Sequence, residues 1–141
     1  MKKSMVRSER GFTLVELLAT IVILGIIAAI AVPSIGKLIE NTKEDTHKAN
    51  AMQIIEAARL YVLSEDPSAS SVNAKTLSRE GFLEAVPKNP SGEGPYSTAN
   101  VDIKPGENGK KSYTITLNGS GMKKKEWTEA QLKGTDSDSD N

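Results

Sequence analysis

Residues 12–35 of the chain read FTLVELLATIVILGIIAAIAVPSI, and no residue from Leu17 to Ile35 carries a charge. A helix needs about 20 consecutive apolar residues to cross the hydrocarbon core of a bilayer, and this apolar segment supplies them. The ten residues that open the chain hold four basic side chains against the single acid of Glu9. Since basic flanks stay in the cytoplasm, the pattern predicts a single-pass membrane helix with a cytoplasmic amino terminus.

One acidic residue, Glu16, lies inside the apolar segment. A carboxylate within a membrane span costs roughly 2.5–3.5 kcal/mol on insertion scales, so it usually marks function and needs a partner. Cleavage between Gly11 and Phe12 would create one, because the new α-amine of Phe12 would lie one helical turn from Glu16. Two unit charges about 4 Å apart attract by about 4 kcal/mol at an effective dielectric constant of 20. The alternative is that Glu16 only reaches toward the membrane surface.

The octapeptide RGFTLVEL, from Arg10 to Leu17, is followed at once by the apolar helix and resembles the processing signal of type IV prepilins and type II secretion pseudopilins. The resemblance implies that a prepilin peptidase removes a cytoplasmic leader, residues 1–11, by cutting after Gly11. It also implies that Phe12 is then N-methylated and that Glu16 sets subunit register in a filament. A cleaved secretory signal fits less well, because its apolar region is shorter and its cleavage site follows that region.

Two helix-weakening residues, Gly25 and Pro33, interrupt the apolar segment. Proline costs about 3 kcal/mol inside a regular helix, and glycine costs about 1 kcal/mol relative to alanine. Many members of the resembled family have such residues here, which implies that residues 25–34 unwind when the helix moves from lipid into a filament. A tolerated kink in a membrane helix is the alternative.

Residues 36–133 are predicted to form an extracellular globular part that includes the outer half of the same helix. No Pro or Gly occurs between Lys37 and Glu65, so the helix is expected to continue to about Ser64. Its outer half is amphipathic, because apolar residues recur there at helical spacing. These residues are Ala51, Ile55, Ala58 and Val62.

Beyond the helix, alternation of apolar and polar residues predicts an antiparallel sheet. Two strands are expected at residues 101–104 and 112–117, with a weaker third strand at 122–127. The remaining expectations are a loop at 66–71, a helix at 74–80 capped by Asn73 and ended by Gly81, and an irregular connection at 87–96.

The fold class is therefore α+β: a long amino-terminal helix packs through its amphipathic outer half on a small antiparallel β-sheet. The type IV pilin fold, which the resemblance implies, has the same arrangement.

The last eight residues, 134–141, read GTDSDSDN and are predicted to be a disordered acidic tail. Asp136, Asp138 and Asp140 alternate as calcium-loop ligands do, but the glycine and closing glutamate of such a loop are absent. We therefore predict no cofactor and no metal site. Calcium stays as the one candidate ion, because some major pseudopilins of the resembled family bind it near their carboxyl end.

Nothing in the sequence predicts an enzyme. The chain has no cysteine, and no phosphate loop, nucleophile elbow or zinc spacing occurs. His47 is the only histidine and lies in a polar stretch of the helix, where we expect it to be solvated.

A basic and aromatic cluster, Lys123, Lys124, Lys125 and Trp127, is the candidate contact for DNA. Lysines that bind phosphates and a ring that stacks on bases are typical of such contacts. Lysines that protect a strand edge explain the cluster equally well. The formal net charge of the chain is zero, which gives no broad basic surface for nucleic acid.

The sequence thus predicts a prepilin that becomes the structural subunit of an extracellular filament, a helical homopolymer on the cell surface. The further partners that the resemblance implies are prepilin peptidase, an inner-membrane assembly platform, minor pilins and, before assembly, membrane lipid. One alternative is a pseudopilin of a type II secretion or competence DNA-uptake system. An alternative of another class is a monomeric, membrane-anchored extracellular binding domain.

Overall fold

The computed structural model describes residues 7–135, and of residues 7–12 it describes the backbone alone. The described chain divides into two compact units, of which the first ends at Asn41 and the second begins at Thr42. We call the second unit, up to Thr135, the head. The elements in chain order are α1 (Arg7–Ser64), β1 (Ser71–Asn73), α2 (Ala74–Arg79), β2 (Thr98–Pro105), a 3₁₀ turn (Glu107–Gly109), β3 (Lys111–Asn118), β4 (Lys125–Thr128) and α3 (Glu129–Lys133).

Helix α1 ends at Ser64, as the sequence predicts. The N–H groups of Glu65 and Asp66 both donate to the carbonyl of Tyr61, at 2.8 and 3.3 Å. The carboxylate of Asp66 accepts from the hydroxyl and the N–H of Ser68, at 2.7 and 3.0 Å. These bonds lower the pKa of Asp66 and turn the chain out of the helix.

The head buries one face of α1 against its sheet. The four residues predicted from helical spacing are all at most 2% exposed, and Ile54 and Ala57 extend the same face. Leu60 and Leu63 lie on the other side and are 56% and 73% exposed. The amphipathic outer half of the helix is therefore confirmed.

The sheet has four antiparallel strands in the order β1-β2-β3-β4. Side chains of β2 and β3 alternate between core and solvent, as a half-buried antiparallel sheet requires. Opposite each other in the buried layer lie three pairs, Ala99 with Leu117, Val101 with Ile115, and Ile103 with Tyr113. The α+β fold class is confirmed.

Strand β1 was not predicted, since Ser71 was placed in a loop. The strand has three residues, and only Val72 of them is buried. Such a short edge strand carries too little apolar alternation to be recognised, and its pairing of Val72 with Val101 fixes it in place. The weakly supported third strand is confirmed as β4, which begins at Lys125 and pairs with β3.

The short helix α2 follows the prediction closely. The side chain of Asn73 accepts a hydrogen bond of 2.8 Å from the N–H of Thr76, which satisfies one of the free donors of the first turn. Beyond the last helical residue, Gly81 takes a φ of +84° and turns the chain away.

Helix α3 was not predicted. Thr128 and Gln131 close its first turn reciprocally, because each side chain bonds to the backbone N–H of the other, at 3.2 and 2.9 Å. Gly134 ends the helix with a φ of 67°, and the N–H of Thr135 donates to the carbonyl of Ala130 at 3.0 Å. The rest of the predicted acidic tail, residues 136–141, lies outside the described residues.

The connection of residues 87–96 has no regular structure apart from an isolated bridge between Lys88 and Pro95, as predicted. It packs on the turn between β3 and β4. Buried Asn89 donates from Nδ2 to the carbonyl of Ser120 at 2.7 Å. Gly121 has a φ of +72°, and a Cβ there would lie 2.2 Å from the carbonyl oxygen of Ser91.

The prediction that His47 is solvated was wrong, because the side chain is 1% exposed. Its Nδ1 lies 2.8 Å from the hydroxyl of Tyr96, and its Nε2 lies 2.8 Å from Oγ of Ser91. The connection of residues 87–96 covers this part of the helix. The missed signal was spacing, since His47 lies four residues before Ala51 and thus on the same helical face.

Candidate functional site: the amino-terminal apolar helix

The apolar segment is helical, and its own chain leaves it uncovered. Among its described side chains, from Thr13 to Ile35, all are exposed except the half-buried Ala31. The large side chains are between 52% and 68% exposed, with Leu14 and Ile30 at the upper end. Length and composition are sufficient for a membrane span. So much exposed apolar surface requires lipid or other protein chains as its surroundings.

Glu16 is the one ionisable residue between Thr13 and Gly36. Other polar groups in this run bond back to the helix: Thr20 donates to the carbonyl of Glu16 at 2.8 Å, and Ser34 donates to that of Ile30 at 3.1 Å. Among residues 13–135, no basic side chain lies within salt-bridge distance of the carboxylate of Glu16. That this carboxylate needs a partner stays a prediction.

Gly25 and Pro33 both lie within α1, which is helical through them. A Cβ added at Gly25 would meet nothing within 4 Å, so no packing contact in this chain demands a glycine there. Proline supplies no N–H to the carbonyl four residues before it, which weakens the helix at Pro33. Unwinding of residues 25–34 on assembly stays a prediction.

The junction between Gly11 and Phe12 also lies within α1, whose helical backbone begins at Arg7. Phe12 and Glu16 are four residues apart, so their backbones follow one another by about one turn of the same helix. The predicted new amino terminus and the carboxylate thus share one end of the helix.

The amino-terminal end of the chain also matches a known protein family. The family described as "Prokaryotic N-terminal methylation motif" matches residues 6–32, which include the junction and Glu16. Core protein G of the type II secretion system from Pseudomonas aeruginosa is 29% identical over 104 residues, which cover 64% of this chain and 72% of that protein. The protein of the same name from Escherichia coli is 29% identical over 115 residues, or 72% of this chain and 76% of that protein.

A third relative is the type IV major pilin protein PilA of Myxococcus xanthus, which is 34% identical over 65 residues. The chain is thus similar both to core protein G of type II secretion systems and, over a shorter stretch, to a type IV major pilin. No solved structure matches the chain.

The relatives differ in how much of this chain they cover. The match to the Myxococcus pilin spans 46% of this chain and only 30% of that pilin. The matches to the secretion core proteins span more than two thirds of those proteins. The similarity to core protein G is therefore the more extensive, whereas similarity to the pilin is confined to a shorter part of both chains.

The basic and aromatic cluster proposed for DNA is only partly brought together. Lys125 forms an ion pair with Glu44, and its Nζ lies 5.6 Å from the ring centroid of half-buried Trp127. Lys123 and Lys124 are exposed. Because Lys125 is engaged within the head and partly covers the ring, the cluster is better explained by packing of β4, and DNA contact stays a prediction.

The candidate calcium ligands Asp136, Asp138 and Asp140 lie outside the described residues. Among residues 7–135, no group of three His, Cys, Asp or Glu side chains is arranged to hold a metal ion.

Proposed function

We propose that the chain is made as a prepilin, is cleaved between Gly11 and Phe12, is N-methylated at Phe12 and assembles into a filament through residues 12–35. The observation that carries the proposal is an uncovered apolar helix that overlaps the methylation-motif match at residues 6–32. A membrane anchor alone would explain the apolar side chains, but it gives no reason for the acid at position 16.

Cleavage would require the start of α1 to open. Peptidases act on extended backbone, whereas Gly11 and Phe12 lie in helical backbone. Glycine has a low helix propensity, so extending the backbone at Gly11 costs little free energy. It also presents no side chain to the protease, and both properties suit a residue that precedes the cleaved bond. The leader stays on the cytoplasmic side with its basic residues, so a membrane-bound prepilin peptidase would reach the junction from there.

Assembly would give Glu16 its partner. The amine of Phe12 created by cleavage is a cation at the same helical end, and a neighbouring subunit would supply a second such amine. Removing a carboxylate from water is unfavourable unless a paired cation offsets the cost. A register that leaves Glu16 without an amine beside it is therefore disfavoured. Hydrophobic burial alone gives little preference for one register when a helix moves from lipid into a filament, because lipid tails are as apolar as leucine.

Sister subunits would then replace lipid around the apolar segment, while the head lies outside the cell. An assembly platform in the inner membrane and minor pilins are the further partners of this proposal. Between filament types, the extensive similarity to core protein G favours a pseudopilin of a secretion system over a subunit of a long surface pilus.

The test is a pair of substitutions in the native host, Glu16→Gln and Glu40→Gln. Both remove one negative charge from α1, but Glu40 lies beyond the apolar segment. We expect Glu16→Gln to be cleaved and inserted in the membrane but to fall at least tenfold in the sheared or cross-linked filament fraction, which corresponds to about 1.4 kcal/mol of lost coupling. Glu40→Gln should assemble normally.

Intact mass of the filament fraction completes the test. A chain that begins at methylated Phe12 supports the processing step, whereas a chain that keeps residues 1–11 contradicts it. Filament levels in Glu16→Gln equal to those of Glu40→Gln would contradict the pairing and leave a simple anchor. Retention of secreted proteins in the periplasm of a deletion strain would support the pseudopilin, and loss of long surface fibres without such retention would favour the pilus.

A further inference from the structure

A polar cluster, with His47 and Tyr96 buried at its centre, joins α1 to the connection of residues 87–96. It consists of His47 and Asn50 of the helix with Ser91 and Tyr96 of the connection, and we call it the His47 cluster. The ring of His47 lies between the hydroxyl of Tyr96 and that of Ser91, at 2.8 Å from each. Asn50 Nδ2 lies 3.1 Å from the hydroxyl of Tyr96 and 3.1 Å from the carbonyl of Lys88.

The protons of this cluster can be assigned from its donors and acceptors. The amide nitrogen of Asn50 can only donate, so the oxygen of Tyr96 accepts from it. The phenolic oxygen could also accept from Nδ1 of His47, but its own hydrogen would then have no acceptor among the contacts of the described residues. We therefore assign the phenolic hydrogen to Nδ1, which leaves the ring proton on Nε2, where it is donated to Ser91. In this assignment His47 is neutral.

Burial and two nearby lysines also favour the neutral ring. Burial lowers the pKa of His47, and Lys125 from β4 and Lys43 from α1 lower it further, while Glu44 opposes them. The carboxylate of Glu44 is itself paired with Lys125. Burial also raises the pKa of Tyr96, so this phenol stays protonated at any pH at which the histidine titrates.

We propose that the His47 cluster makes the attachment of residues 87–96 to α1 acid-sensitive, so that protonation of Nδ1 breaks the bond from Tyr96 and releases the connection. A proton on Nδ1 would oppose the phenolic proton, and Tyr96 would have to turn its hydrogen away from the ring. The charge would also be buried beside Lys125. Release exposes the ring to water, where the imidazolium is solvated. This inference concerns the head alone and does not depend on filament assembly.

The direction with pH follows from the lowered pKa. The released state takes up a proton near the ordinary value of 6.5, whereas the attached state does so only at a lower pH. The stabilising contribution is therefore complete above pH 6.5 and is lost as the pH falls below it. At pH 5 most carboxylates keep their charge, so histidine is the group that changes.

The experiment measures amide hydrogen exchange of the full chain in detergent micelles at pH 7.5 and 5.0, with each rate corrected for intrinsic exchange. The amides of Asn89 and Ser91 report on the connection, since they bond to Gly94 O and Asn89 Oδ1 at 2.9 Å each. We expect their protection to fall about tenfold at pH 5.0, while the amides of the β2–β3 ladder keep theirs. Unchanged protection of Asn89 and Ser91 would overturn the proposal.

The matched variant is His47→Gln, whose side chain keeps a donor and an acceptor but takes up no proton. Its connection should be equally protected at both pH values. An acid-induced fall as large as that of the unaltered chain would show that another group is responsible and would overturn the proposal.

A second variant keeps the test decisive where His47→Gln fails to fold, as judged by loss of ladder protection at pH 7.5. Tyr96→Phe removes the donor that stabilises the neutral ring. The titration midpoint of the imidazole, followed by its carbon chemical shift in NMR spectra, should then rise by roughly half a pH unit or more. The midpoint for release of the connection should rise with it, and an unmoved midpoint would overturn the proposal.

Discussion

Apolar side chains of α1 are exposed in the apolar segment but buried by the sheet in the head. Ile23, in the apolar segment, is 57% exposed, whereas Ile54, in the head, is completely buried beneath the sheet. Both residues belong to the same continuous helix. What differs is the pattern around them: the first stretch is apolar on all sides, and the second is apolar on one face.

The difference separates folding from assembly. Residues of the head that face the sheet are satisfied within one chain, so substitutions there should change the stability of the subunit. Residues of the apolar segment are not covered by their own chain, so substitutions there should leave the head stable and change only the proposed contacts with lipid or sister chains.

The isoleucine pair gives the largest expected effect. Ile54→Ala removes buried methyl groups and leaves a cavity, so the free energy of unfolding of the head should fall by about 2–5 kcal/mol. Ile23→Ala should change it by less than about 0.5 kcal/mol. Urea unfolding of the full chain in mild detergent measures both, with fluorescence of Trp127 as the probe. If Ile23→Ala lowered the free energy of unfolding by more than about 1 kcal/mol, the apolar segment would contribute to the stability of the head, which contradicts the comparison.

Substitutions of two glycines, one in the head and one in the apolar segment, also test whether only the head contributes to the stability of the subunit. Gly121→Ala places a Cβ at positive φ and 2.2 Å from the carbonyl oxygen of Ser91, so the head should lose about 2–3 kcal/mol. Gly25→Ala fills open space on a helix and should leave the unfolding of the head unchanged. The same urea titration distinguishes them. Equal stability of Gly121→Ala and the unaltered chain would show that the turn can move away from the connection.

Much of the fold follows from local patterns. Spacing of Ala51, Ile55, Ala58 and Val62 predicts the buried face of α1, and alternation from Tyr113 to Leu117 predicts β3, because each pattern repeats over several residues. Strand β1 and helix α3 could not be predicted in this way. One has three residues and the other five, and each is fixed by pairing or capping partners rather than by its own periodicity.

Some functional residues could likewise be identified from the sequence, and others could not. Glu16 could be chosen from the sequence because a carboxylate in an apolar run conflicts with its surroundings, and the resemblance to prepilin processing signals adds Gly11 and Phe12. The roles of all three residues stay predictions. The burial of His47 could not be recognised from its polar neighbours, because it depends on Ser91 and Tyr96, which follow it by 44 and 49 residues. Short-range pattern identifies the apolar segment that we propose for assembly, whereas the His47 cluster exists only once the connection has folded back on the helix.

Two acids near the division between the units give the smallest expected effect. Glu44 pairs with Lys125 of β4, and both side chains are about one third exposed, at 35% and 31%. An ion pair in such a partly exposed setting contributes about 0.2–1 kcal/mol, so Glu44→Gln should lower the free energy of unfolding of the head by no more than that. Glu40→Gln, four residues earlier and in the first unit, should not change it.

Salt distinguishes this ion pair from packing. The difference between Glu44→Gln and the unaltered chain should shrink in urea titrations as the ionic strength rises from about 0.01 to 1 M, since the Debye length falls from about 30 to 3 Å. The losses from Ile54→Ala and Gly121→Ala should persist, because they come from contact and not from charge. A salt-independent loss in Glu44→Gln would mean that the carboxylate supports the head through packing. An equal loss in Glu40→Gln would mean that the head depends on residues of the first unit, and the division of α1 into a folding half and an assembly half would then fail.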